Sequence, residues 1–559
     1  MMRRILICLS LLLAGLSGFA QQGKEKEDLG DKEYIIVKDY KPVLAESYKI
    51  SDVPEGDTST YTAPPLNYKL ETKKAETNYE TATIKAVRVK DEALTKLYRN
   101  LVRLGIGNFT KYSGELYINS LRSKKGSLGL SAKHLSGSPT LKGVGHSAYS
   151  DNSAQLSGKY FLENAIFFGD LNYNRDVLHY YGYDSDLIIL DKKDTRQLFS
   201  NFGVNAGIRS NYLSKGNLDY EATFGFSTLS DHFDVNENDF LVKAKGGKEV
   251  ENMYIQVEAS YNYFKKSAAS NDSTLSLITD LDRNIIRISP SIFLTKDKAK
   301  FELGGRMVIA KDDVSSVHIY PNIKVNLPIS ENVLSVFAYV DGDLQKNTYR
   351  TVTLENPFLN STVVPFNSSQ AIMLTGGLNG NFNSAVSFAA WVKYGVVNDM
   401  ALFVADTAQK NKFDIVYDDV KILDLHAELS YKADEKFTVS LHYDQYSYTP
   451  DLQGKAWHQP QNEVALKAAY NLRDKIRASA SVFGRGKSYA RLQASDPSLG
   501  FTSEKIKGYI DANLGVEYLY SKILSVYLNM NNLGFSKYDR WYSYPSEGFN
   551  VLGGISYSF

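Results

Sequence analysis

From about residue 98 onward one texture repeats, with apolar or aromatic residues alternating with small or polar ones. Between Leu218 and Ser227, Leu218, Tyr220, Ala222, Phe224 and Phe226 fall in one phase, and Asp219, Glu221, Thr223, Gly225 and Ser227 in the other. The stretch from Met253 sets Ile255, Val257, Ala259, Tyr261 and Tyr263 against Gln256, Glu258, Ser260 and Asn262. Near the C-terminus Ile510, Ala512, Leu514, Val516, Tyr518 and Tyr520 oppose Asp511, Asn513, Gly515 and Glu517. Successive strand side chains point to opposite faces, so each stretch predicts a strand with one apolar and one polar face. The stretches run ~10 residues or more, the length a tilted membrane strand needs.

Candidate strands start near residues 98, 112, 125, 149, 163, 196, 217, 237, 250, 284, 297, 315, 330, 370, 384, 420, 434, 460, 474, 507, 522 and 548, about 22 in all. Tight turns such as Thr295–Asp297, Ala433–Glu435 and Leu472–Asp474 alternate with long polar stretches at 176–196, 265–283, 346–369, 398–419, 487–506 and 532–547. An even strand count with short turns at one end and long loops at the other predicts an all-β, antiparallel up-and-down transmembrane barrel. A soluble sandwich also alternates, but its connections lack this asymmetry. Tyr160-Phe161, Tyr261-Tyr263-Phe264 and Tyr443-Tyr446-Tyr448 are expected at strand ends, as an interfacial aromatic girdle.

Composition supports this reading. The chain carries 39 Tyr, 27 Phe and 39 Gly, and its only cysteine is Cys8. Met1-Met2-Arg3-Arg4, the apolar run Ile5 to Leu16 and the small residues before Gln21 predict a secretory signal peptide, residues 1–20. The mature chain would then have no thiol chemistry. With 64 basic against 63 acidic residues, no strong field points to a nucleic acid. The expected location is the outer membrane of a Gram-negative-type envelope, with outer-membrane lipid and the insertion machinery as partners.

The last hairpin carries a resemblance. Asn532-Leu533, Tyr538, Pro545, Gly548 and the closing strand to Phe559 resemble the terminal hairpin of TonB-dependent receptors, a family of barrels that move solutes across the outer membrane. Phe535-Ser536 and Phe549 depart from that pattern. The resemblance implies a 22-strand barrel, and it implies that Tyr557 and Phe559 form the insertion signal. It also implies a globular plug, yet only residues 21–95 precede the barrel at 96–559. That segment, rich in Lys, Glu, Asp, Thr and Pro, reads as a periplasmic arm able to enter the lumen, which makes the chain a plug-less or plug-reduced relative. Within it, Glu33-Tyr34-Ile35-Ile36-Val37 resembles a TonB box, or else a strand for a periplasmic or lipoprotein partner.

Catalytic chemistry is not evident. His134 with Ser136 lacks a third orienting group and reads as interfacial, while His179 to Asp184 reads as a structured or ligand-contacting loop. Asp312-Asp313 reads as a solvated turn, and no metal or cofactor motif is present. Asp219, Glu221, Gln256, Glu258, His442, Asp444, Asp511 and Glu517 are the expected lumen lining, paired with Lys or Arg on neighbouring strands. Such a lining suits a polar solute. The functional expectation is a non-enzymatic transporter or receptor-like barrel; the alternative is a structural or assembly scaffold in an outer-membrane complex.

Overall fold

The computed structural model describes residues 98–559 except 121–122, 212–216, 269–280, 313, 332, 435 and 495–499. The signal, the arm and Glu33–Val37 lie outside the described residues. Twenty-two strands form one antiparallel sheet, each bonded to its sequence neighbours within the sheet. The sheet closes where the first strand, Asn100–Gly107, pairs with the last, Asn550–Ser558, from Leu101 opposite Ser558 to Gly107 opposite Leu552. Closure leaves no unpaired edge, which a bilayer would not tolerate. The expected strand starts fall within about four residues of the observed ones, with one exception.

The exception is the strand expected from residue 420, which begins at Phe413. The loop expected at 398–419 shrinks because the strands Val386–Ala405 and Phe413–Ala433 stay paired out to Ala405 opposite Phe413. An irregularity between Val397 and Met400 absorbs the change of phase. Beyond it Leu402, Val404 and Val420 are buried with Trp457, and that apolar cluster is what rewards the extra length.

At the opposite end the turns are short. Asp297-Lys298 and Arg473-Asp474 both have positive φ at the two adjacent positions, the geometry whose twist matches a two-residue hairpin. Outward phases are exposed, as at Ile255, Val257, Tyr261, Ile555 and Tyr557. Part of the expected aromatic girdle is corrected. Phe264 is buried on the inward face under the Arg283 guanidinium, 4.5 Å from its ring centroid. Tyr446 and Tyr448 stack on each other at 5.8 Å in the same inward phase as Asp444. Residues an odd number apart take opposite faces, so Tyr261 and Phe264, or Tyr443 and Tyr446, cannot share a girdle.

The seam is tight. A Cβ on Gly554 would lie 2.1 Å from the Leu104 carbonyl oxygen, and one on Gly107 2.2 Å from that of Val551. Phe559 clasps the seam: its amide donates to the Asn100 carbonyl at 3.0 Å, and its oxygen accepts from the amides of Arg99 and Asn100 at 3.2 and 3.0 Å.

Candidate functional site: a capped polar lumen

At the long-loop end the connections fold inward. The pivot is the segment between strands Leu334–Gln345 and Ser368–Asn381, which carries the one helix among the described residues, Tyr349–Glu355. Thr348 caps it: its hydroxyl accepts from the Thr351 amide at 3.2 Å, and its own amide donates to the Thr351 hydroxyl at 2.8 Å. Glu237, at the rim of the wall strand Val235–Val250, accepts from the amides of Tyr349 and Arg350 at 2.6 and 3.0 Å. First-turn amides have no partner inside a helix, so these bonds tie the helix to the wall.

More bonds follow on that side. The Tyr349 hydroxyl donates to Asp231 at 2.7 Å, and Asp231 also accepts the amides of Phe233 and Val235, each at 2.9 Å. The buried Lys266 ammonium donates to the carbonyls of Ser361 and Val363 at 2.9 and 2.7 Å. Arg283 donates to the Asn347 carbonyl at 2.9 Å. Across the mouth the same segment meets a different sector of wall. Leu359 forms a parallel bridge with Phe413, the Asn360 amide donates to the Phe413 carbonyl at 2.8 Å, and the Phe413 amide donates to the Phe358 carbonyl at 3.0 Å. Phe358 stacks on Tyr544 of the last long loop, with centroids 3.7 Å apart. Tyr349, Leu359 and Phe403 are fully buried in one cluster with Phe199, Phe413 and Trp541. The loops thus form a small core of their own, a cap over the lumen.

His458 belongs to this cap. Its Nδ1–H donates to the Phe403 carbonyl at 2.9 Å, and its Nε2 faces the Tyr542 amide at 3.5 Å. The ring sits 5.3 Å from Phe413 and 5.2 Å from Trp541. Burial, the leading cause, pushes its pKa down to about 4, so the imidazole is neutral at ordinary pH.

Below the cap the inward phase is polar. A cavity of about 840 Å³ is lined by Ser430, Ser440, Lys467, Ser481, Asn513 and Asn529, together with apolar side chains such as Leu135, Leu514 and Leu552. Ion pairs stud the inward face elsewhere: Asp343 bridges Arg287 at 3.0 Å and Arg306 at 3.2 Å, and Glu302 pairs with Lys324 at 3.1 Å.

The expected lining residues sit as follows. Glu258 pairs with Lys243 at 2.9 Å, and Glu221 stands directly across from Arg209 and Lys245. Gln256 lies opposite Gly247 and Ser291. The other acids have found neutral donors or histidine instead of Lys or Arg. Asp219 accepts from Ser210 at 2.5 Å and Tyr254 at 2.9 Å, Asp511 from Tyr538 at 3.0 Å and Glu517 from Ser525 at 2.5 Å. Asp444 bonds His426 at 2.6 Å, next to His442 and Glu428. The ligand atoms of His426, Glu428 and His442 all lie within 4.8 Å of one another. Asp312 is not a solvated turn: it accepts from Asn367 at 3.2 Å and lies 3.6 Å from Arg283, because the pivot segment folds over it. Asp313 lies outside the described residues.

One expectation on the remaining histidines is corrected: His134 does have a third, orienting group, because the strand register sets Asn152 directly across from it. His134 bonds Asn152 at 2.7 Å and Ser136 at 3.0 Å, and His179 donates to the Ala148 carbonyl at 2.8 Å. Sequence reasoning missed Asp231, Glu237, Tyr349, His426 and His458. For His426 the signal was available, since reading back from the turn at 434–436 pairs it with Asp444 and pairs Glu428 with His442. The cap contacts join loops distant in sequence, and no local pattern announces them.

No protein-family model matches the sequence, and neither does any curated protein. Solved structures do match in fold. The pyoverdine outer membrane receptor FpvA from Pseudomonas aeruginosa PAO1 superposes with a TM-score of 0.62 at 12% identity, covering 83% of this chain and 79% of that one. The FrpB iron transporter from Neisseria meningitidis (F5-1 variant) gives 0.65 at 11%, covering 83% of each chain. The siderophore receptor PirA from Acinetobacter baumannii gives 0.65 at 9%, covering 84% and 81%. These are TonB-dependent receptors. The chain has their barrel fold. At such identities the likeness speaks for architecture, consistent with an outer-membrane location, and what each neighbour binds belongs to that neighbour.

Proposed function

We propose that the protein is an outer-membrane transporter or receptor-like barrel for a polar solute, with the long-loop cap as its gate. The observation that carries this reading is an inward face studded with ion pairs, beneath loops that are bonded to two separate sectors of the rim. A polar solute would exchange its water for the charged and hydrogen-bonding side chains of that face. The outward apolar band would seat in outer-membrane lipid, and Tyr557 with Phe559 would be read by the insertion machinery. The shared fold with the siderophore receptor PirA and the FrpB iron transporter supports transport as the class. The arm, residues 21–95, would act in place of a full plug, with Glu33–Val37 pairing with TonB or another periplasmic partner as an added strand.

The test is solute entry into proteoliposomes across a panel of sugars, amino acids and small chelates, using the protein without residues 21–95 and its Tyr349→Ala, Phe358→Ala variant, so that the arm cannot mask the cap. The proposal expects faster entry of polar solutes through the variant than through the parent. A folded variant that admits none of them would favour the scaffold reading, in which the packed cap is permanent.

A further inference from the structure

The inner wall holds a set of side chains that transport of a generic polar solute does not need. In the strands Phe413–Ala433 and Phe437–Pro450, His426 stands directly across from Asp444 and Glu428 directly across from His442. Directly opposed residues bring their side chains to within about 5 Å, and residues two apart share a face. Two successive rungs therefore place two imidazoles and two carboxylates on one inward patch. Glu428 Oε2 is 3.7 Å from His442 Nδ1 and 4.0 Å from His426 Nε2. The two rings are 6.4 Å apart between centroids.

The surroundings orient these groups. His426 Nδ1–H donates to Asp444 Oδ1 at 2.6 Å, which leaves the Nε2 lone pair facing Glu428. Trp391, across from His426 on the strand Val386–Ala405, stacks on the ring at 4.7 Å and 10° and fixes its plane. Ser430 donates to Glu428 Oε1 at 3.2 Å, so Oε2 is the oxygen turned to the histidines. One rung toward the rim, Asp424 Oδ1 is buried without a hydrogen-bond partner among the described residues. One rung the other way, Ser430 and Ser440 line the cavity.

We propose that His426 Nε2, His442 Nδ1 and Glu428 Oε2 bind a divalent transition-metal ion of the zinc class on the lumen wall, with Asp444 as the positioning carboxylate. Two nitrogens and one oxygen with a free fourth position form a donor set that zinc, cobalt or nickel takes and that calcium and magnesium, which prefer all-oxygen sites, do not. Metal–ligand bonds of about 2.0–2.2 Å put neighbouring ligand atoms roughly 3.4 Å apart, so small side-chain rotations close the present gaps. A carboxylate holding the far nitrogen of a ligating histidine is the usual support for such a site. The ion would sit between the rim and the cavity, its open position facing the lumen. The site stands independently of what the barrel moves.

The experiment titrates Co²⁺ alone into the mature, untagged protein in detergent and reads visible absorption, with Zn²⁺, Ca²⁺ and Mg²⁺ as competitors. Expected are d–d bands saturating at one Co²⁺ per chain, bleached by Zn²⁺ and untouched by Ca²⁺ or Mg²⁺. His442→Ala and Glu428→Gln should lose the bands. Asp444→Asn, which keeps all three ligands, should weaken binding roughly 10–100-fold. Heat-modifiable gel mobility checks that each variant remains a folded barrel. A folded parent that gives no bands overturns the proposal. So do bands that persist in both ligand variants, or that vanish only on His179→Ala.

Discussion

Replacing Tyr349 by Phe removes one atom from the cap and leaves its shape intact. That atom is the fully buried hydroxyl donating to Asp231 at 2.7 Å and lying 3.2 Å from the Ser361 hydroxyl. Asp231 keeps the Phe233 and Val235 amides and the Gln197 side chain at 3.3 Å, so its charge is not stranded. A hydrogen bond to a charged acceptor contributes about 1.5–3 kcal/mol, and the Ser361 hydroxyl loses a partner as well. We therefore expect the cap to open more easily by about 2 kcal/mol, roughly a 30-fold larger open population. Tyr349→Ala adds a cavity where a fully buried ring stood, so it should reach about 4 kcal/mol. Hydrogen exchange reads this locally. The amides of Val352, Asn356, Asn360 and Phe413, which bond within the cap, should exchange about 30-fold faster in Tyr349→Phe. Strand amides at the seam, such as those of Leu104 and Ile555, should keep their parent rates. Unchanged cap amides would refute the role of this bond. An equal rise in cap and seam would refute the cap as a separate opening unit.

Three further outcomes are expected. Cap protection should fall in acid: the folded pKa of His458 is about 4 against an ordinary value of 6.5, so the open state binds the extra proton. That contribution is complete above about pH 6.5, is lost as pH falls toward 4, and amounts to about 3 kcal/mol at most. His458→Gln should flatten the pH dependence of cap exchange between those limits. Gly554→Val should block barrel closure, because its Cβ would meet the Leu104 carbonyl at 2.1 Å and Tyr527 Oη at 2.6 Å; loss of heat-modifiable mobility reports it. Deleting Phe559 should lower outer-membrane levels several-fold while the assembled fraction melts nearly as the parent does. Its ring is half exposed, and its backbone bonds clasp only the end of the seam.

Much of the wall was legible because alternation is local. Ile255, Val257 and Tyr261 announce their face through period alone, and Asp297-Lys298 marks its turn by residue type. Phase errors arose where an aromatic run crossed from one face to the other, as from Tyr261 to Phe264. The extension of Phe413–Ala433 past residue 420 was hidden because its reward is tertiary, the burial of Val420 beside Leu402 and Trp457. The cap was not legible at all. Tyr349 and Asp231 are 118 positions apart, and Tyr180 meets Leu359 across 179, so only the closed barrel brings them together. The histidine patch lies between these cases: His442 and Asp444 stood out in their own strand, and the hairpin register supplies His426 and Glu428.

If the lumen is closed by a removable cap, the strand register offers a clean way to remove it. Gln345 pairs directly with Ser368, so a short Gly-Asn-Gly turn replacing residues 346–367 rejoins the two strands without disturbing the wall. Single-channel recording in planar bilayers then compares this protein with the parent, both without residues 21–95 so that the arm cannot itself block the lumen. The account predicts a nearly silent parent and a stable, ion-conducting pore in the shortened barrel. A folded, inserted, shortened barrel that remains silent would contradict it.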